Sequence, residues 1–210
     1  MGFYAHWIFP RLMDWVLGTR RVQERRREAL APVYGSVLEI GFGTGLNLPH
    51  YPGAVTWLTA LDPESLLPKR VARRTSEASI PVELVHCSAE VLPFEAGRFD
   101  CVVSTWTLCT IPDVGAALRE VRRVLKSDGK LVFLEHGRSD DVRIAKWQDR
   151  FNPLERLIAC GCNLNRPIDV LIDQAGLKIA RLERFLMPGV PRIGGEMYQG
   201  TAVLSGESRG

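Results

Sequence analysis

The chain reads as an α/β protein on a doubly wound, mostly parallel sheet, and three features predict this. Short apolar runs alternate with longer polar or amphipathic stretches from residue 36 to residue 135, the pattern of strands joined by crossover helices. The first run, Val37-Leu38-Glu39-Ile40, passes straight into Gly41-Phe42-Gly43-Thr44-Gly45. Three glycines at alternate positions make a sharp turn that a ligand can approach closely. The second run, residues 55–61, stops at Asp62-Pro63, and Asp before Pro starts a helix well.

The elements follow in order. Strands are expected near 36–40, 55–61, 82–87, 100–106 and 130–135, and helices near 45–50, 64–78, 112–126, 143–160 and 166–175. Residues 181–186 and 200–204 read as two closing strands, an antiparallel pair, separated by the Gly- and Pro-rich stretch 189–195. That completes seven strands. At 210 residues the chain fits one domain. Residues 1–31 read as a helical segment, 32–204 as the α/β domain, and 205–210 as a frayed tail.

The glycine turn constrains its ligand. The spacing is Glu-x-Gly-x-Gly-x-Gly, and position 46, where the dinucleotide fingerprint needs glycine, holds Leu46. That argues against a nicotinamide oxidoreductase. No Lys or Arg lies between Glu39 and Asn47, whereas phosphate-binding loops recruit one. A ligand with little phosphate charge fits better. Asp62 lies about twenty residues past the turn, at the end of the next strand, where a carboxylate suits a ribose diol. The same residue also suits an N-cap.

These segments together resemble the class I S-adenosylmethionine (SAM)-dependent methyltransferases, of the methyltransferase type 11 group, with a Rossmann-like sheet. The turn resembles their motif I. Residues 82–94 resemble a segment commonly written G-D-A-E-x-L-P-F, with Cys87 and Ser88 in place of its glycine and acid. Phe99-Asp100-Cys101-Val102 matches F-D-x-V, and residues 121–133 match the helix end, glycine turn and fifth strand. The resemblance implies SAM as cofactor. It places Glu39, Gly41, Gly43, Gly45 and Asn47 at the amino-acid end, Asp62 and Pro63 at the ribose, and Ser88, Ala89 and Glu90 at the adenine. Ser104 and Thr105 fall beside the methyl donor. The competing reading of Ser88 is helix capping.

Leu134-Glu135-His136 and Gly161-Cys162-Asn163-Leu164-Asn165-Arg166 resemble the methyltransferase-like 7 branch, some of whose members methylate small alkyl thiols. Ala159-Cys160 departs from that branch's pattern. The resemblance implies a small-molecule acceptor, with a thiol as the first choice. A thiol of pKa near 8.5 is already a few per cent ionised at neutral pH, so a weak base suffices. His136, beyond the fifth strand, is the candidate base, or else orients its loop. Trp7, Trp106, Cys109, Trp147, Asn163 and Arg166 are the candidate acceptor contacts. Asn163 and Arg166 also suit capping of the helix that starts near Pro167.

Composition bounds the rest. A net charge of +3 is too mild to argue for nucleic acid, and no apolar run of membrane-spanning length is present. The five cysteines have no zinc-ligand spacing; Cys87, Cys101 and Cys109 read as core residues in a reducing compartment, so a cytoplasmic location is expected. Cys160-Gly161-Cys162 suits a local turn better than a redox or metal pair. The aromatic segment 3–17, which Pro10 is expected to break, and the arginines at 20, 21, 25, 26 and 27 read either as a cover over the active site or as contact with a membrane surface. The arginines themselves equally suit a solvated helix face. A phospholipid or quinone methyltransferase and a non-catalytic SAM-binding protein stay open as alternatives. Nothing in the sequence fixes the oligomeric state.

Overall fold

The structure, a computed structural model, describes residues 4–64 and 66–205. The tail expected to fray lies, from residue 206 on, outside the described residues. Seven strands are present: β1 (Gly35–Ile40), β2 (Val55–Leu61), β3 (Val82–Val85), β4 (Phe99–Thr105), β5 (Leu125–His136), β6 (Leu177–Leu186) and β7 (Glu196–Leu204). They form one sheet in the order β3-β2-β1-β4-β5-β7-β6. All pairings through β5 are parallel, and β7 runs antiparallel to both β5 and β6. The strand order reverses between β1 and β4, so the crevice beyond their carboxyl ends is the natural ligand site of such a sheet.

The central strands are covered on both faces, which is why they read as continuous apolar runs rather than alternating ones. Val37, Leu58, Val103 and Val132 pack on one face, and Leu38, Ile40, Val102, Leu131 and Phe133 on the other. The helices are α1 (Phe9–Leu17), α2 (Arg20–Leu30), α3 (Pro68–Ser76), α4 (Val114–Val124), α5 (Val142–Ile158), α6 (Ile168–Gln174) and the short α7 (Arg192–Gly195).

Several expected boundaries move, each for a local reason. The helix expected over 45–50 is only a 3-10 turn, Leu48–His50, because Gly45 holds φ +80° and Pro49 follows. The helix expected from 64 begins at Pro68, whose fixed φ suits a first helical position. The third strand ends at Val85 rather than 87. The closing strands run longer than expected, because pairing along β5 extends β7 back to Met197 opposite His136. The aromatic segment is in two pieces at Pro10, as expected: a π-helical stretch, Tyr4–Ile8, ends just before it and α1 begins at Phe9. Pro10 lies in the first turn of α1, where its missing N–H is tolerated, and α1 ends at Gly18.

Candidate active site

A buried polar network lies beneath the glycine turn. Glu39, near the carboxyl end of β1, accepts hydrogen bonds from Asn47 Nδ2 (2.9 Å) and Tyr51 OH (2.7 Å). Arg26 reaches in from α2, donating to Asn47 Oδ1 (2.6 Å) and Thr105 Oγ1 (3.0 Å), with its guanidinium 4.6 Å from the centre of the Trp106 ring. Glu39 and Asn47 have essentially no exposure, and Arg26 has 3%. Burial pushes the Glu39 carboxyl up to about 7, against the pull of Tyr51, Arg26 and Asn47. Burial likewise brings Arg26 down to about 10, with Glu39 opposing.

The expectation of a solvated arginine face is corrected at Arg26. Val22, Arg26, Ala29 and Leu30 form the buried stripe of α2, at the spacing of one helix face. That stripe was the signal available in the sequence, and five arginines in one stretch obscured it. Asp14 of α1 and Tyr51 were also not anticipated.

Asp14 fastens α1 over the turn. Its buried carboxylate bonds Thr44 Oγ1 and pairs with Arg70 and Arg74, the last at 2.6 Å. Arg74 also donates to the Thr44 carbonyl at 2.9 Å. Between α1 and the turn lies a cavity of about 150 Å³, lined by Phe9, Pro10, Met13, Asp14, Leu17, Arg26, Glu39, Gly41, Phe42, Gly43, Thr44, Leu46, Leu66, Thr105, Trp106 and Thr107. Small-molecule sites usually run from about 300 to 1,000 Å³. α1 forms the outer wall of this one.

The remaining predicted residues divide. Asp62 accepts from the N–H groups of Gly43 (2.8 Å) and Glu64 (3.1 Å), so its carboxylate abuts the turn, and burial raises its pKa. Pro63 beside it is exposed. Ser88 and Glu90 bond each other, and Glu90 accepts from Asp113 N at 2.7 Å. Ala89 is buried in the core. Ser104 donates to buried Glu135 at 2.5 Å, behind the cavity wall. Glu135 also accepts from Thr107 N, and burial pushes its carboxyl up to about 7.

Trp7 and Trp147 do not line the cavity. Trp7 is exposed, and Trp147 stacks on Phe151 with ring centres 5.6 Å apart. Asn163 and Arg166 bind the backbone of the loop after β4, at Cys109 O and Leu108 O. His136 faces Cys162 and Cys109 rather than the cavity.

The residues present fit SAM. Gly43 holds φ +58°, and a Cβ built there would meet nothing within 4 Å among the described residues, so the backbone leaves ligand space. Arg26 lines the same cavity, and its Nε is buried without a hydrogen-bond partner among the described residues, a donor suited to a carboxylate. The buried carboxylate of Glu39 suits an ammonium.

The sheet order and this site define an α/β enzyme of the nucleotide-cofactor kind. The family model for a methyltransferase domain matches residues 38–133. Over 190 residues the chain is 30% identical to the human thiol S-methyltransferase TMT1B, covering 84% of this chain and 78% of that protein. It is 31% identical over 146 residues to the phosphatidylethanolamine N-methyltransferase of Cereibacter sphaeroides, covering 68% and 70%. Among solved structures, Burkholderia thailandensis 1,6-didemethyltoxoflavin-N1-methyltransferase with S-adenosylhomocysteine aligns with a TM-score of 0.67 at 18% identity, over 94% of this chain and 84% of that one, and so shares the fold. The chain belongs to the SAM-dependent methyltransferases; its cofactor is SAM, and it is an enzyme of methyl transfer.

Proposed function

We propose that the enzyme S-methylates a small apolar thiol. The observation that carries this reading is the reach of the likeness to the thiol S-methyltransferases. It extends over 190 residues and 84% of this chain, well beyond the common domain at 38–133. The apolar wall of Phe9, Pro10, Met13, Leu17, Phe42 and Trp106 supports an uncharged acceptor. SAM supplies an electrophilic methyl group on a sulfonium. The chain positions a partly ionised thiol and excludes water. In this reading Glu39 takes the ammonium, Arg26 Nε the carboxylate and Asp62 the ribose, while Gly41, Gly43, Gly45 and Asn47 shape the turn. Ser88, Ala89 and Glu90 flank the adenine. Thr105 and Trp106, with Ser104 behind them, border the methyl group, and α1 is a lid that shifts to admit the cofactor.

The test is transfer of labelled methyl to a panel of alkyl thiols, quinols and phospholipid vesicles. Label in the thioether fraction is the expected result. Label in the quinol or lipid fraction instead would sink the thiol reading.

A pH dependence follows from Glu39. With its pKa near 7, the carboxyl is largely protonated below pH 7 and must lose that proton to meet a cation. SAM affinity should be full above pH 7 and fall by up to about tenfold per unit below it. Calorimetry in buffers of different ionisation enthalpy should record proton release on binding near pH 6. An affinity that stays flat through this range would remove Glu39 from cofactor binding.

A second reading concerns where the acceptor is met. No helix among the described residues is long and apolar enough to cross a membrane. Yet Trp7, Leu12 and Trp15 on one side, and Leu154, Leu157 and Ile158 of α5 on the other, are all exposed. Trp15 reaches 72% and Leu157 75%. Tyr4 OH, donating to Ile158 O at 2.8 Å, ties the N-terminal segment to the end of α5, and we take the two exposed stretches as one apolar face. Such a face supports peripheral contact with a lipid surface by an otherwise cytoplasmic protein, and the five free cysteines suit that compartment. Co-sedimentation with anionic vesicles should be lost in the double variant Trp15→Ser/Leu157→Ser. Wild-type protein that stays in the supernatant would dismiss the contact.

A further inference from the structure

Cys109 and Cys162, from the loops after β4 and α5, converge on His136, the last residue of β5. Cys109 Sγ lies 3.4 Å from Cys162 Sγ, and Cys162 Sγ lies 3.8 Å from His136 Nδ1. One ligand atom from each residue lies within 4.8 Å of the others. We propose that Cys109, His136 and Cys162 form a binding site for a zinc-class divalent cation. Zinc bonds of about 2.3 Å to sulfur and about 2.0 Å to nitrogen set tetrahedral ligand atoms about 3.5–3.8 Å apart. The sulfur pair at 3.4 Å and the sulfur–nitrogen pair at 3.8 Å each lie within about 0.4 Å of that spacing, a shift that side-chain rotation supplies. Two sulfurs and one imidazole are a soft donor set that favours zinc over calcium or magnesium. Three protein ligands leave a fourth position for water or an exogenous donor.

The surroundings hold the three in place. Asn163 donates twice to the Cys109 carbonyl, from its backbone N (2.9 Å) and from Nδ2 (2.8 Å), which ties the residue after Cys162 to Cys109 itself. The left-handed residues Cys160 (φ +48°) and Gly161 (φ +103°) make the turn that brings Cys162 to the pair. Glu135, next to His136, accepts from Thr107 N and so anchors the start of the Cys109 loop. Such outer contacts orient metal ligands. The His136 ring is buried, and Nε2 has no partner among the described residues. Its polar contacts are the cysteines, which are poor hydrogen-bond partners and good co-ligands.

The site does not depend on the identity of the methyl acceptor. Its test is titration of the reduced, tag-free full chain with cobalt, followed by displacement with zinc. One equivalent should saturate, with the visible bands of a tetrahedral ion and a near-ultraviolet thiolate-to-cobalt band. Cys162→Ser should weaken binding by more than tenfold, since the loss of outer contacts alone costs about 10–100-fold, and it should diminish the thiolate band. Cys87→Ser, outside the cluster, should match wild type, with circular dichroism confirming that both variants are folded. Failure of the wild-type chain to retain cobalt overturns the site. So does a spectrum that Cys162→Ser leaves unchanged, or a Cys109–Cys162 disulfide in freshly purified, metal-free protein.

Discussion

Arg26→Met should lower the unfolding free energy by about 3–5 kcal/mol, the usual consequence of removing one partner from a buried charged network. For a chain of this size that is a fall in Tm of roughly 6–20 °C. The methionine fills much of the arginine's volume, so the effect isolates the lost charge and hydrogen bonds rather than a cavity. Asn47 Oδ1 and Thr105 Oγ1 lose a donor, and Glu39 loses the cation that holds its pKa down. Glu39 then takes up a proton more readily, which caps the penalty. Adding Glu39→Gln should therefore recover part of the loss, and the shortfall from additivity measures the coupling. Thermal and denaturant unfolding of the single and double variants would check this. A single variant as stable as wild type would mean that the network does not depend on Arg26.

The second large effect separates two glycines of the same turn. At Gly41 (φ +71°) an added Cβ would stand 2.1 Å from Thr107 Oγ1 and 2.7 Å from Thr107 Cβ. The obstruction includes the root of the threonine side chain, which cannot swing away, and Thr107 N is held by Glu135. Gly41→Ala should cost about 2–4 kcal/mol, combining left-handed backbone strain with overpacking, and should also abolish measurable SAM binding. At Gly43 the added methyl meets nothing within 4 Å among the described residues, so Gly43→Ala should cost only the backbone strain of about 1–2 kcal/mol. Its methyl nevertheless occupies ligand space, and SAM affinity should fall at least about tenfold, a cost of about 1.4 kcal/mol. Gly97→Ala provides the control, with a similar φ of +68° and an equally open surrounding. It should show the same strain with cofactor affinity intact. Equal affinities for the Gly43 and Gly97 variants would contradict the assignment of the turn to the cofactor.

The sheet was legible because strands covered on both faces appear as uninterrupted apolar runs, and because Asp62 and the alternate glycines mark where two of them end. Helix ends were less legible, since Pro49 and Pro68 shorten helices whose polar stretches continue past them. The site was half readable. Glu39 and Gly43 announce themselves through position in a motif. Arg26 and Asp14 act at the site only because α1 and α2 fold back across the carboxyl ends of the strands, and no local pattern encodes that return. The three residues at 109, 136 and 162 were hidden for a similar reason. Zinc spacing is sought in neighbouring pairs, whereas these come together only once the loops beyond β4 and α5 are folded against the end of β5.

The position of β7 bears on how the chain is made. β7 lies between β5 and β6, yet it is the last of the three to leave the ribosome. Until residues 196–204 have been synthesised, the edge of β5 that faces away from β4 and the edge of β6 that pairs with β7 lack their partner. A nascent chain at that stage carries two open strand edges, the surfaces most prone to pairing with a neighbouring chain. The sheet therefore closes in one late step, when a single strand inserts and satisfies both edges together.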